Sequence, residues 1–269
     1  MTLDSVIRPE YESQSSPLTP SQLVTIFRLL LAARRAGKSF FAFFNCAYPY
    51  SSIENPVERA QGGENSGASQ PHKHVQFLPR PETTPPPIER LALETRFETL
   101  GSCSRVIIPY STNVFTERPF SLTRLPYANH VRRFPSDITF FEYDKLEATL
   151  SQAFMQLLDL VISTVRHDPD YPAGKLSYNV WITLEHLHLI PRRHEAYAMN
   201  DGSHVSINAL GFAGMLLVKS EDELEAVKSE GIGKILRGVG LESIHEEQVQ
   251  GTAAEAIDEV SIPPKGSVL

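Results

Sequence analysis

The sequence predicts an α+β fold, on three observations. Apolar residues recur at helical spacing in the segments that follow Thr19 and Asp144, and short runs such as Ser39 to Phe44 and Leu176 to Thr183 have the length and composition of buried strands. Between them lies His72-Lys73-His74-Val75-Gln76, which on an extended backbone places two imidazoles and a carboxamide on one face.

The elements follow in order. Thr19, Pro20 and Gln22 form a helix start of the capping-box type with proline in the first helical position, and Leu23, Phe27, Leu30 and Leu31 then repeat until Gly37 ends the helix. Ser39 to Phe44 reads as a buried strand that delivers Asn45 to a loop. Ala47 to Asn65 has neither strand nor helix periodicity and reads as a surface loop. His74 to Leu78 is expected as the neighbouring strand, with Val75 and Phe77 turned to the core. The five prolines of Pro79 to Pro87 make a stiff extended connector between two halves.

In the second half, Asp144 and Glu147 mark another helix start, followed by an apolar stripe of Leu150, Phe154, Leu157, Leu158, Val161, Ile162 and Val165. That stripe is core. Leu176 to Thr183 should place Tyr178, Val180 and Ile182 on one side and Asn179, Trp181 and Thr183 on the other. Gly211 to Lys219 reads as a loop followed by a short apolar strand, and Ser220 with Glu223 caps a helix running toward Gly231. Thr252 to Leu269 is small, acidic or proline-bearing and is expected to be a disordered tail. The organisation is therefore a first half over 1–78, the connector over 79–90, a second half over 91–248 packed on the same sheet, and the tail over 249–269.

Composition narrows the function classes. A chain of 269 residues with 41% hydrophobic content can bury a proper core, and no run approaches the roughly 18 continuous apolar residues of a membrane helix. The start, Met1 to Pro9, lacks the apolar stretch of a secretory signal. Cys46 and Cys103 alone make a disulfide framework unlike this chain, and a reducing, cytoplasmic or nuclear compartment fits. A net charge of −7 argues against broad nucleic-acid binding, which relies on clustered Lys and Arg. Lys73, Arg80, Arg192, Arg193 and Lys219 could supply local positive character, although scattered basic residues are usually solvated; Arg192 is selected among them as a substrate contact.

The histidine strand carries the chemistry. An imidazole nitrogen of His74 can attack phosphorus, with His72 beside it as a further catalytic candidate, while Gln76 and donors from the loop Ser66, Gly67, Ala68, Ser69 and Gln70 hold oxygens carrying developing charge. A carboxamide at Gln76 orients a phosphohistidine without exchanging a proton, which favours transfer over hydrolysis. Two histidines spaced by one residue are also a zinc-binding layout, but no neighbouring His or Cys cluster completes that set in the sequence. His186 and His188 repeat the spacing without an anion loop before them and read as structural or pocket-lining, and His130 as a hydrogen-bonded structural histidine. Asn179 and Thr183 either face a nucleotide or satisfy an exposed sheet face.

Ser66 to Gln76 resembles the active-site segment of the fungal diadenosine tetraphosphate phosphorylases, or ATP adenylyltransferases, of the uridylyltransferase branch of the histidine-triad superfamily. The resemblance continues through Ser15 to Leu23, Phe43-Phe44-Asn45-Cys46, Ser177-Tyr178-Asn179-Val180, Leu189-Ile190-Pro191-Arg192 and Asn208 to Lys219, covering about Ser15 to Glu242. It implies an antiparallel sheet flanked by helices and phosphorolysis of the dinucleotide with inorganic phosphate to ATP and ADP through an adenylylated histidine. His74 matches the nucleophile, and Asn45, Ser66 to Gln70, Gln76, Asn179 and Thr183 fall where the family contacts nucleotide or phosphate.

The resemblance further implies adenine nucleotides, dinucleoside polyphosphate and phosphate as partners; charge and hydropathy argue against nucleic acid and membrane, and a divalent cation such as Mg2+ is expected on the polyphosphate as its charge partner rather than in a dedicated protein site. Family members carry an amino-terminal portion with several strands and a nucleotide-binding lysine before the segment resembling Arg8 to Ser13. A shortened reading frame is expected here, leaving an open sheet edge. Ala47 to Asn65 is an insertion relative to the family; a retained intron is one hypothesis, which transcripts consistently containing the segment would remove. A transferase acting on a sugar-1-phosphate nucleotide and a non-catalytic nucleotide-binding remnant are the alternative functions.

Overall fold

A computed structural model describes residues 11–46, 72–80, 84–95, 118–172 and 176–242. The loop over 47–65, Ser66 to Gln70, Cys103 and the tail over 249–269 lie outside the described residues.

Helix α1 (Pro20–Arg35) starts as its sequence dictates: the Thr19 side chain accepts from Gln22 N, the Gln22 side chain returns to Thr19 N, and Pro20 needs no donor. It closes in a Schellman turn. Gly37, at φ 72°, lets Lys38 N reach Ala33 O and its own N–H reach Arg34 O. Leu23, Phe27 and Leu30 are buried as expected, joined by Val24 and Ile26, whereas Leu31 is only half-buried.

The main sheet holds strands β1 (Phe40–Cys46), β2 (Gln76–Pro79), β3 (His130–Arg133), β4 (Tyr178–Ile182) and β5 (His186–Pro191) in the order β2-β1-β4-β5-β3. Every pairing is antiparallel. Strand β2 is shorter than expected, because the chain from His72 to Val75 leaves the ladder and His72 instead bridges to Ser13. The two strands of the first half join the three of the second through the β1–β4 pairing, so the halves share one sheet and one core.

The period of two sorts side chains between two layers. Ala42, Phe44, Cys46, Phe77, Tyr178, Val180, Ile182, Leu187 and Leu189 face α1 and the long helix α3 (Tyr143–His167). Phe41, Phe43, Trp181, Val131 and Ile190 face the opposite layer, built by helices α2 (Pro87–Glu94), α4 (Ala209–Phe212), α5 (Glu221–Glu230) and α6 (Ile232–Val239). The small hairpin of β6 (Ala196–Ala198) and β7 (His204–Ser206) adjoins that second layer. Each fully buried Leu or Phe in these layers stabilises by roughly 1.5–3 kcal/mol.

Several sequence expectations are corrected. Helix α2 begins at Pro87, inside the stretch read as connector, because proline is well suited to a first helical turn. Helix α3 starts one residue before Asp144, with Glu142 at its N-cap and no side-chain cap bond; Leu146, Ala153 and Thr164 join its buried stripe, while Ile162 and Val165 are half-buried. By length and composition α3 could cross a membrane, yet its apolar stripe packs on α1 and the sheet. Residues 213–219 form no strand; the segment before them is the short helix α4, capped by Asn208. The Ser220 cap and Gly231 stop of α5 hold as read, and the amphipathic α6 was not anticipated.

Gly214 joins α4 to α2 at φ 89°, and a Cβ there would sit 2.7 Å from Pro87 Cβ. Gly214→Ala therefore combines a left-handed backbone with a clash against a rigid ring, and urea unfolding should show a loss of about 2 kcal/mol.

Candidate functional site

The segment bearing His72 and His74 is held by main-chain and side-chain bonds from residues 12–14. Lys73 N donates to Glu12 O at 2.7 Å, His74 N donates to Gln14 Oε1 at 2.9 Å, and Gln14 Nε2 donates to Asn45 O at 2.7 Å. Gln14 is buried and ties the His74 segment to the end of β1. Lys73 is committed to the same clamp: its ammonium meets Glu12 Oε2 at 2.7 Å, Pro17 O at 2.8 Å and Gln22 Oε1 at 3.3 Å. Lys73 thus supplies structure rather than free positive charge. Gln14→Ala should lower the rate of any reaction at His74 by roughly 10-fold to 100-fold through misplacement, with a stability loss of about 1–2 kcal/mol measured separately.

His74 Nδ1 lies 3.1 Å from the His72 carbonyl oxygen. A carbonyl can only accept, so in the neutral ring the proton sits on Nδ1 and the lone pair is on Nε2. The rings of His72 and His74 are 5.9 Å apart by centroid, and both are half-buried. Gln76, likewise half-buried, is opposite Phe43 and so shares the sheet face of Phe43, Trp181, Asn45 and Asn179. The sequence expectation that His72, His74 and Gln76 share one extended strand holds only from Gln76 onward.

Asn45 and Asn179 are directly opposite across β1 and β4, and both are buried. Asn45 Oδ1 accepts from Ala209 N at 2.9 Å, which ties β1 to the start of α4. Asn179 is fully buried with neither amide atom hydrogen-bonded, and the Trp181 indole N–H on the same face is also without an acceptor. Buried polar atoms of this kind are costly unless a ligand meets them. Phe41 stacks on Trp181 at 4.0 Å between ring centroids, which fixes the indole. The reading of Asn179 and Thr183 as an exposed polar sheet face is excluded, because both are buried.

Thr183 and Arg192 have structural partners. Thr183 Oγ1 accepts from Glu185 N and His186 N in the β4–β5 turn and donates to Glu89 Oε1 at 3.1 Å. Arg192 is fully buried, with its guanidinium bonded to Ser177 Oγ at 3.1 Å and close to Ile207 O and Glu195. Arg193 pairs with Asp168. His130 behaves as the structural histidine expected, with Nε2 2.9 Å from Thr164 Oγ1.

A second polar group lies on the same face and was missed. Glu89, fully buried on α2, accepts from His186 Nδ1 at 2.7 Å and from His188 Nε2 at 3.2 Å. Burial pushes the Glu89 carboxyl up, but hydrogen bonds and charge from His186 and His188 outweigh it and hold the group well below the carboxylate range. Burial pulls the His188 imidazole down, against the opposing bond to Glu89. The His186-Leu187-His188 spacing was the available signal; Glu89 was hidden because its segment reads as connector.

Fold and site together define an α+β protein whose sheet margin presents a pair of half-buried imidazoles beside a buried polar face. Residues 123–242 match the family described as ATP adenylyltransferase C-terminal domain, bearing out the resemblance drawn from the sequence. Protein APA1 of Saccharomyces cerevisiae is 25% identical over 88% of this chain and 64% of its own length. Diadenosine 5',5'''-P1,P4-tetraphosphate phosphorylase 2 of the same yeast is 24% identical over 82% of this chain and 59% of its own. The chain thus spans less than two thirds of these curated relatives. Among solved structures, yeast Ap4A phosphorylase Apa2 superposes with a TM-score of 0.59 at 25% identity, covering 87% of this chain and 66% of that one. Apa2 in complex with AMP gives the same TM-score at 24% identity, which speaks to the fold alone. The antiparallel sheet flanked by helices is accordingly the architecture shared with Apa2.

Proposed function

We propose that the chain is a nucleotidyltransferase, or the larger part of one, that splits diadenosine tetraphosphate with inorganic phosphate into ATP and ADP. The observation that carries this reading is the His74 Nδ1 bond to its neighbour's carbonyl, which leaves Nε2 as a directed nucleophile. In the first step Nε2 attacks the α-phosphorus of one adenylyl group, the P–O bond to the polyphosphate breaks, and ATP departs. The adenylylated ring becomes cationic, and its Nδ1–H remains bonded to the His72 carbonyl. Phosphate oxygen then attacks the same phosphorus, the P–N bond breaks, ADP forms and His74 regains its lone pair.

Gln76 and the loop Ser66 to Gln70 are assigned to the transferring phosphoryl oxygens, and Asn179 to the nucleotide, whose polar edge would satisfy its unpartnered amide. Asn45 acts by placing Ala209 and α4. Thr183 and Arg192, with their hydrogen bonds spent inside the fold, are left out of the contact set. A divalent ion such as Mg2+ accompanies the polyphosphate as its charge partner.

The test is intact-protein mass spectrometry of the purified chain after incubation with diadenosine tetraphosphate. An acid-labile AMP adduct supports the reading; a folded protein with none, in the presence of Mg2+, overturns it for this chain and favours a nucleotide-binding remnant. Adenine nucleotides should raise the unfolding midpoint and uridine-diphosphate sugars should not, and the reverse pattern would transfer the proposal to a sugar-nucleotide substrate.

A further inference from the structure

We propose that Lys73 is a positioning residue for the transfer step: its contacts with Glu12 and Gln22 fix the turn in which the His72 carbonyl selects the reactive nitrogen of His74. The inference rests on the reading of His74 as nucleophile and adds the residue that keeps its ring aimed.

The three hydrogens of the Lys73 ammonium meet three acceptors, Glu12 Oε2 at 2.7 Å, Pro17 O at 2.8 Å and Gln22 Oε1 at 3.3 Å. The side chain is 5% exposed, so no hydrogen is left for a phosphate oxygen. The group closes on itself, because Gln22 Nε2 donates to the same Glu12 oxygen at 2.9 Å and Gln22 Oε1 accepts from Thr19 N at 2.9 Å in the capping box of α1. A cation is poorly suited to stabilising the amino terminus of α1, where unpaired N–H groups favour anions. Its benefit falls instead on the segment that carries it.

The His74 tautomer depends on that segment. The 3.1 Å bond from His74 Nδ1 to the His72 carbonyl spans Lys73, so the backbone angles of Lys73 decide whether ring and carbonyl meet. Lys73 is held twice by one residue: its N–H donates to Glu12 O at 2.7 Å, and its ammonium to the Glu12 carboxylate. Ser13 bridges to His72 and Gln14 accepts from His74 N, so residues 12–14 run antiparallel to residues 72–74 with one contact per residue. Of these contacts, only that of Lys73 with Glu12 joins a main-chain bond to an ion pair. Without it the turn loosens, and a ring released from its carbonyl populates both neutral tautomers. A ring protonated on Nε2 has no lone pair there with which to attack phosphorus.

The experiment is nitrogen-15 NMR of the histidine rings in the full chain without substrate, at about pH 8, where an ordinary imidazole is neutral. It is paired with kcat and KM for diadenosine tetraphosphate in the presence of phosphate and Mg2+. The wild type should show His74 protonated on Nδ1, assigned by the signals lost in His74→Ala. In Lys73→Met, which keeps the length of the side chain and removes its charge, those signals should move to the average of two tautomers. Its kcat should fall roughly 10-fold to 100-fold, with KM within about 2-fold. Glu12→Gln should move both readouts the same way, and the double variant should lose no more than Lys73→Met alone, because the pair acts as one unit.

A residue that only stabilised the fold would lower the unfolding midpoint and leave the tautomer and kcat of the folded protein unchanged. That result in Lys73→Met overturns the proposal. A raised KM at unchanged kcat overturns it as well, since it marks a substrate contact, and so does a wild-type ring protonated on Nε2. Should Lys73→Met fail to fold, Glu12→Gln decides by the same two readouts. The tautomer is read without turnover, so a wild type that forms no AMP adduct, which sinks the nucleotidyltransferase reading, is distinguishable from a clamp that does not hold His74.

Discussion

His74→Ala is expected to remove adenylyl transfer from diadenosine tetraphosphate, by about 10³-fold or more, with no AMP adduct by intact mass. The size of the effect follows from the step removed: no other side chain on this segment presents a bare imidazole nitrogen fixed by a carbonyl on its opposite side. Stability should change little, because the half-buried ring bonds only to the His72 carbonyl, which water can meet instead. His72→Ala provides the contrast. Its carbonyl, not its imidazole, fixes the His74 tautomer, and the carbonyl survives substitution, so a loss of only about 10-fold is expected. Equal losses in the two variants would place the nucleophile elsewhere.

Glu89→Ala is expected to produce the largest loss of stability, about 3–5 kcal/mol, read by urea unfolding. The substitution strands two buried imidazole donors, removes the Thr183 hydroxyl's acceptor, and takes away a carboxylate whose charge favours the Arg133 cation. The same cluster sets the pH dependence. The Glu89 carboxyl is lowered in the folded state, so its contribution is present above the unfolded carboxylate range and is lost as pH falls through that range and below. The His188 imidazole is also lowered, so the folded state favours its neutral form and loses stability as pH drops below the ordinary histidine value of about 6.5. Both groups act in the same direction. The wild type should weaken progressively from about pH 6.5 downward, with the slope reduced in His188→Ala.

The local elements were legible where a single segment contains its own physical reasons. The Thr19 and Gln22 box, the Gly37 stop, the alternation of Tyr178 to Ile182 and the Ser220 cap are each settled within about five residues. The proposed nucleophile was picked out on equally local grounds, the residue types and spacing of His72, His74 and Gln76. Helix α2 was not, because five prolines outweigh a short amphipathic pattern when neighbours are unseen.

What the sequence by itself determined was the α+β class, the two main helices and the histidine that carries the proposed reaction. Only the tertiary structure decided how the donors are used. Gln14 became a brace for His74, Lys73 and Arg192 were absorbed into internal bonds, Asn179 was buried with its amide unmet, and Glu89 was brought to His186 and His188. The physical reason is range: caps and periodicity act between residues a few positions apart, whereas hydrogen-bond satisfaction and charge pairing depend on partners that sheet pairing brings together from opposite ends of the chain.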